Sequence, residues 1–516
     1  MTLSGFINGS ELPQDLNVTV GVCVIGSGAG GAVAAHTLAA AGHQVLVVEE
    51  GGHYTSQHFN MQESEAYPQL YQESAGRTTA DLGVSILQGR AVGGTTVVNY
   101  TTCFRTPVET LDHWRIHHAV RGLDHQALTP HWRAVEERLH VEKVPADQMN
   151  RNNRVLYEGC EALGWQVETT HRNVKHCRQS GYCGLGCPVD AKQSMLVTYL
   201  PDAVALGAGV LSRCRVDRLI HQAGEITALE GTLLDVNGIK PTGRSVRIKA
   251  QKFILSAGAI GSPAVLLRSG MDDGVVGTRT FLHPVVVSVA RYQAPVLACY
   301  GAPQSCASHQ FADRGDKTGF VMEAVPVHPV LMASAMPGLG RDHALGMQAF
   351  ANVAVHVALT KDGFFPDETG GTVVVRPSGH PVLDYAIPPR IQEALRESQK
   401  RMAQAVFASG ALEVHTCHTR AHVTRNPRDI AGVDALSFKP LDVGISTAHV
   451  MGGCRMGEDP DDAVVRCEDL RAHRFKNLHV VDGSVFPTSL GVNPQLSIYG
   501  LAHLAASRMA SSWGRA

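Results

Sequence analysis

Three glycines and one acid give the first chemical possibility in this chain. Gly26, Gly28 and Gly31 stand at G-x-G-x-x-G spacing, and Glu49 follows the first of them by the roughly 20 residues expected of a carboxylate that accepts from ribose hydroxyls. Each glycine has a physical task. Gly26 permits a tight turn, Gly28 lets the backbone approach a pyrophosphate, and Gly31 lets a helix pack close to a strand. Unpaired N–H groups at the helix start then face the phosphates with a partial positive charge. The chemistry is that of holding a redox dinucleotide. The turn alone does not separate FAD from NAD.

These residues need strand, helix and strand in register. Residues 22–25 are a short apolar run, 32–41 are rich in alanine, and 45–48 are a second apolar run ending in Glu49. That order predicts a Rossmann-like α/β unit.

With 516 residues the chain is long enough for two domains, or for one large domain with a sizeable insertion. Its composition is globular: 44% hydrophobic, 18% charged, with 52 glycines. A net charge of −2 gives no reason to expect nucleic acid or an anionic membrane as partner. No apolar run approaches the roughly 18 residues of a membrane helix. Residues 1–14 lack the basic start and apolar core of a signal peptide, so the expected location is cytoplasmic. Most of the 12 cysteines occur singly, and Cys23, inside the first strand, reads as a small buried hydrophobe. Among 26 histidines, His36, His43, His283, His415, His418 and His479 read as structural.

Three distant stretches narrow the class. They are residues 89–99, with Gly93, Gly94, Thr95 and Thr96; residues 258–270, opening Gly258-Ala259-Ile260-Gly261-Ser262-Pro263; and residues 481–487 with 491–495, which carry Asp482-Gly483-Ser484 and Gly491-Val492-Asn493-Pro494-Gln495. In this order behind this turn, the chain resembles the glucose–methanol–choline (GMC) family of FAD-dependent oxidoreductases over about residues 22–509, nearest to its cholesterol oxidase and long-chain alcohol oxidase branches. The resemblance implies an α/β fold: a discontinuous Rossmann-like FAD-binding domain over 15–115, 195–285 and 440–516. Cap and substrate-binding regions over 116–194 and 286–439 would be built on an antiparallel sheet covered by helices. It also implies oxidation of a primary or secondary, apolar alcohol, with oxygen or another electron acceptor as second substrate. A hydroxynitrile lyase that keeps FAD without redox chemistry, and an iron–sulfur-linked sugar dehydrogenase, are the alternatives within the family.

Site residues follow from the same matches. Flavin alcohol oxidation needs a base for the hydroxyl proton and a partner for the developing alkoxide. The resemblance assigns the first role to His449 and the second to Asn493, which cannot take a proton but can hydrogen-bond an oxygen. It places Arg90, Gly93, Gly94, Thr95 and Asn99 along the pyrophosphate and isoalloxazine edge, and Val216 against adenine through its backbone. Asp482 and Gly483 would approach the ribityl and phosphate region, and Gln495 would present a backbone N–H to the flavin. Val98 stands where members with covalently attached flavin carry histidine, which implies non-covalent FAD.

The run from Cys177 through Cys183 to Cys187 and Pro188 has C-x5-C-x3-C-P spacing. It resembles the iron–sulfur segment of bacterial sugar dehydrogenases of this family, whose thiolates hold a cluster. It also resembles a cysteine- and glycine-rich loop of long-chain alcohol oxidases, continued by a lysine-bearing stretch like Ala191-Lys192-Gln193-Ser194, where free thiols or a disulfide suffice. No metal ligands are assigned. Elsewhere, residues 53–81 read as a loop over the cofactor, and 112–139 as a surface-lying helical stretch. Residues 216–234, 246–255, 319–324, 351–359 and 372–375 read as strands, and 389–408 as a helix.

Overall fold

The computed structural model describes residues 3–513. Its first sheet runs from Gly5–Asn8 through Gly209–Ser212, Val45–Val48 and Leu16–Ile25 to Pro241–Leu255. These five strands pair in parallel, and Leu478–Val480 joins the end of the last one in the same sense. Strands covered on both faces should be apolar throughout, and all four residues of Val45–Val48 are buried. The helix Ala29–Ala40 lies on this sheet through Ala32, Val33, Ala34, Ala35 and Leu38, none exposed. It packs in turn against the C-terminal helix Gln495–Ser512.

An antiparallel layer and the dinucleotide sheet are one continuous structure. Pro241–Leu255 spans 15 residues. Its first half pairs antiparallel with Glu225–Leu234, which continues into Cys214–Gln222, and its second half pairs parallel with Leu16–Ile25.

A second, nine-stranded sheet is built around Val285–Arg291, Val353–Thr360 and Phe320–Ala324, all antiparallel. Two pieces from far away join it: Ile445–Thr447 beside Val285–Arg291, and Ser85–Ile86 beside Ile445–Thr447. The helix Pro389–Ala408 covers the sheet through Ile391, Leu395, Met402 and Val406. It crosses Arg151–Ala162 so closely that a Cβ on Gly159 would lie 1.9 Å from the Ala405 carbonyl oxygen.

Two local expectations are corrected. Residues 112–139 are not one surface-lying element but two helices, Val108–His117 and His125–Arg138, with Asp124 capping the second. Trp114 and Trp132 are 2% and 0% exposed, because the apolar face of each helix carries its tryptophan inward. The stretch 53–81 contains a helix, Glu63–Leu70. The strand expected over residues 372–375 is present as Thr372–Val375 and pairs with Pro381–Asp384 as a separate hairpin.

Candidate functional site

The glycine turn explains itself residue by residue. Gly26 has φ +99°, a conformation L side chains rarely adopt. A Cβ on Gly31 would lie 2.0 Å from the Gly26 carbonyl oxygen. Gly28 differs: its φ of −73° is ordinary, and a Cβ there would meet nothing nearer than Gly94 Cα at 3.8 Å. No contact within the protein requires glycine at 28, so the requirement comes from something that approaches the backbone there. Gly28 is also the N-cap of Ala29–Ala40, makes no side-chain cap, and the first turn carries no acid. A half-buried helix start without a capping side chain is the arrangement an anion satisfies.

Glu49 is buried and joins this turn to the glycine loop. Its Oε2 accepts from the Ser27 N–H at 3.0 Å and the Ser27 hydroxyl at 2.6 Å, and Oε1 accepts from the Gly51 N–H at 2.8 Å. The Ser27 hydroxyl oxygen accepts in turn from the Gly93 N–H at 2.9 Å. Burial raises the carboxyl above its ordinary pKa, and these hydrogen bonds oppose the rise. Each carboxylate oxygen retains lone-pair capacity for a further donor. Gly93 and Gly94 both have positive φ, and Gly94 sits against Gly28, where a Cβ on it would come within 2.7 Å of Gly28 Cα. Gly26, Gly28, Gly31, Glu49, Gly93 and Gly94 therefore form one backbone-lined cradle.

The remaining candidates divide. Thr95 Oγ1 accepts from the Gly89 N–H at 3.0 Å and shapes the glycine loop. Asn99 Nδ2 donates to Gln495 Oε1 at 2.6 Å, while Asn99 Oδ1 is buried without a partner. The Gln495 side chain is otherwise occupied with Thr102, Cys103 and Asn173, leaving its backbone N–H at the start of a helix. The Arg90 guanidinium groups with Gly238 and Glu50, and its Nη1 donates to the Gly238 carbonyl at 2.8 Å. The Val216 carbonyl accepts from Arg268 at 3.0 Å on the sheet's edge strand. The Asp482 carboxylate fastens the turns at 258 and 484, accepting from the N–H groups of Gly258 and Ser484 at 2.8 Å each and from the Ser262 hydroxyl at 2.6 Å. Gly483 follows it in a short turn under Ile498.

His449 follows the Ile445–Thr447 strand, and its N–H donates to Thr447 Oγ1 at 3.0 Å. Burial lowers the imidazole to about 4, so it is neutral at neutral pH. Its Nδ1 lies 3.1 Å from Nδ1 of His283. Asn493 is buried, with Nδ2 donating to Glu323 at 3.3 Å and Oδ1 without a partner. Among the described residues no hydrogen bond joins His449 to Asn493. Asp362 links the segments that carry them, through the 282–283 backbone on one side and Ser489 on the other. Its carboxylate accepts from the N–H groups of Leu282 and His283, while its own backbone N–H and carbonyl both bond the Ser489 hydroxyl, on the loop that leads to Asn493.

Two residues of this site were missed by sequence reasoning. One is His283. The other is Glu323, fully buried in the strand Phe320–Ala324, with Oε1 unpartnered and Oε2 accepting from Gln304 Nε2 at 2.9 Å and from Asn493. A lone acid in the apolar run Phe320-Val321-Met322-Glu323-Ala324 was the available signal. Burial pushes this carboxyl up to about 7. The folded chain therefore binds the proton more tightly than the unfolded chain, and this contribution to stability is full below about pH 4.5 and lost as pH rises to about 7. Glu323→Gln, permanently neutral, is expected to match wild type at pH 4.5 and to exceed it by on the order of 2–3 kcal/mol at pH 8. Thermal melts at both pH values check this; a difference that does not change with pH would contradict it.

Cys177, Cys183 and Cys187 are free thiols lining one small cavity with Arg178 and Lys192. Among the described residues no group of three or more His, Cys, Asp or Glu is arranged to hold a metal ion. Lys192 is buried, and burial lowers it to about 8. Its ammonium donates to the carbonyls of Val97, Asn99 and Cys183 at 2.7, 2.7 and 2.6 Å, which ties the cysteine loop to the glycine loop. Among the described residues no helix is long and apolar enough to cross a membrane.

A parallel sheet with an uncapped glycine turn is the dinucleotide-binding arrangement of the Rossmann class, beside a second sheet that carries Glu323 and leads into His449. Comparison with known proteins specifies the family. Residues 67–285 and 367–502 match the GMC oxidoreductase family, and 24–91 match an NAD(P)-binding Rossmann-like domain. An uncharacterized GMC-type oxidoreductase of Mycobacterium tuberculosis is 33% identical over 494 residues, covering 94% of this chain and 75% of the relative. A long-chain-alcohol oxidase of Arabidopsis thaliana is 27% identical over 524 residues, covering 96% of this chain and 69% of the relative. The crystal structure of pyridoxine 4-oxidase from Mesorbium loti superposes with a TM-score of 0.71 at 19% identity, covering 96% of this chain and all of that one. The chain belongs to the GMC oxidoreductase family.

Proposed function

We propose that this chain is an FAD-dependent alcohol oxidoreductase that converts a primary or secondary, apolar alcohol to its aldehyde or ketone. The observation that carries the reading is the pairing of a dinucleotide cradle, whose Gly28 no protein contact explains, with a neutral His449 whose Nε2 has no protein partner and is not sealed from solvent. Non-covalent FAD fits the residues present. Its pyrophosphate would meet the Gly28 turn and the start of Ala29–Ala40, a ribose would meet Glu49, and the flavin end would meet Gly93, Gly94, Asn99 and the Gln495 N–H. When bound, FAD supplies the acceptor for the hydride that leaves the substrate carbon.

The chain's own residues do the rest. His449 Nε2 accepts the hydroxyl proton. Asn493, held by Glu323 through one amide hydrogen, orients the substrate oxygen by donating its other amide N–H to it. The apolar class of alcohol is supported by the likeness to long-chain-alcohol oxidases. Oxygen or another electron acceptor takes up the electrons afterwards.

The test is a visible spectrum of the purified protein, recorded anaerobically before and after a panel of alcohols. Two flavin bands that bleach with an apolar alcohol are expected. A flavin that no alcohol bleaches would overturn the redox reading, and a protein that neither contains nor takes up FAD would overturn the cradle.

A further inference from the structure

His283 is placed with more constraint than a core histidine needs. It is 0% exposed, and its φ of +50° lies in the left-handed region, at a residue that also precedes Pro284. Both features are unfavourable for a non-glycine residue. The Asp362 carboxylate holds it there: Oδ2 accepts from the Leu282 N–H at 3.0 Å and the Tyr385 hydroxyl at 2.8 Å, and Oδ1 from the His283 N–H at 2.9 Å. Thr447 binds the same turn from the other side, donating its hydroxyl to the Leu282 carbonyl while its oxygen accepts from the His449 N–H. The two histidines are thereby clamped with their Nδ1 atoms 3.1 Å apart and their rings tilted by 32°. Backbone strain maintained by surrounding structure is a mark of a functional position.

The geometry allows one proton between the two Nδ1 atoms. Burial keeps both rings neutral, with His449 and Lys361 further disfavouring the charged form of His283. One ring must then donate and the other accept. If His283 donates, His449 carries its own proton on Nε2 and cannot accept from a substrate. If His449 donates, its Nε2 is a bare lone pair. That arrangement also survives proton uptake, because the imidazolium keeps its Nδ1–H paired with His283.

We propose that His283 is a positioning residue that holds His449 in the Nδ1–H tautomer, leaving Nε2 as the proton acceptor. The inference rests on His449 being the base. In this arrangement the proton of His283 sits on Nε2, the buried atom that has no partner within the protein. A carboxylate plays the corresponding part in a Ser-His-Asp triad. A neutral imidazole does the same here without adding a charge beside the base.

The test compares His283→Leu with His283→Asn in the FAD-loaded protein, since the asparagine Oδ1 can replace Nδ1 as an acceptor. His283→Leu is expected to lose at least ~10-fold in kcat, a fraction of the full contribution of a general base, with KM little changed. His283→Asn is expected to recover most of that loss. Equal activity of His283→Leu and wild type would overturn the proposal, as would equal impairment of both variants. Nitrogen-15 histidine spectra of the wild-type protein, with His449 assigned by comparison with His449→Gln, give a readout independent of turnover and of whether the leucine variant folds. A proton on Nδ1 is expected, and a proton on Nε2 of neutral His449 would overturn it. If His449→Ala itself keeps normal turnover, the assignment of the base fails. If that variant is inert while His283→Leu is fully active, only the present proposal fails.

Discussion

His449→Ala is expected to lower kcat by at least ~100-fold, the low end for general-base catalysis, while FAD remains bound. The side chain can be removed at little structural cost. It is partly exposed, and its ring makes one hydrogen bond, to His283. Among the described residues no hydrogen bond joins it to Ser27, Glu49 or the glycines of the cradle. The pH dependence sharpens the expectation. An ordinary histidine loses its acceptor lone pair below about pH 6.5, whereas burial lowers His449 to about 4. Its neutral form therefore persists as pH falls through 6.5, and kcat/KM should decline only near pH 4. The same shift has a cost: the unfolded chain takes up a proton here below about 6.5 that the folded chain refuses until about 4, so stability falls over that interval. Steady-state kinetics from pH 4 to 9, with flavin content measured in parallel, check both parts. Near-normal turnover of the alanine variant would remove His449 from the chemistry.

The sequence shows the cradle far better than the candidate catalytic site, and the reason is physical. The dinucleotide unit is local. Twenty-eight consecutive residues, 22–49, fix its strands, turn, helix and acid, so spacing alone identifies them. Glu49 and Gly93 need only Ser27 to join them. The candidate site is assembled from segments that lie far apart in the chain. His283, His449 and Asp362 are brought together by the pairing of Val285–Arg291 with Ile445–Thr447 and Val353–Thr360, the Asn493 loop is tied in through Ser489, and no local period reports which strands will be neighbours. His283 therefore reads as one more structural histidine until its Nδ1 is seen against that of His449. Glu323 could have been noticed, since an acid amid apolar strand residues violates the pattern around it, but its partner Asn493 lies 170 residues away. Asp482 shows a different limit. Its sequence neighbourhood is that of a flavin-contacting segment, yet its carboxylate is filled by Gly258, Ser262 and Ser484, leaving any cofactor contact to the backbone. The tryptophans at 114 and 132 show a third. Charges around them suggested a surface, but an amphipathic helix displays its charges and buries its largest apolar side chains.

Gly28→Ala and Gly31→Ala should separate cofactor binding from folding, though they lie three residues apart in one turn. A methyl group on Gly31 would stand 2.0 Å from the Gly26 carbonyl oxygen, a backbone atom in the tightest part of the turn. Strand or helix must shift, and overpacking of this kind typically costs ~1–3 kcal/mol or more. The apoprotein should melt at a lower temperature, with flavin lost as a consequence. A methyl group on Gly28 meets no protein atom within 3.8 Å, and the backbone there already has φ −73°. Its only structural penalty is the poorer N-cap, on the order of several tenths of a kcal/mol to 1 kcal/mol. The apoprotein of Gly28→Ala should therefore melt close to wild type. Its methyl group projects into the gap between Gly28 and Gly94 through which a pyrophosphate reaches the uncapped N–H groups of Ala29–Ala40. Holding the phosphates off by a methyl radius weakens each of those charge-assisted hydrogen bonds, and FAD affinity should fall by at least ~100-fold, about 3 kcal/mol. Thermal melts of flavin-free protein and titration with FAD measure the two quantities independently. If Gly28→Ala binds FAD as wild type does, the pyrophosphate does not approach the backbone at Gly28, and the open space at that glycine has lost its explanation.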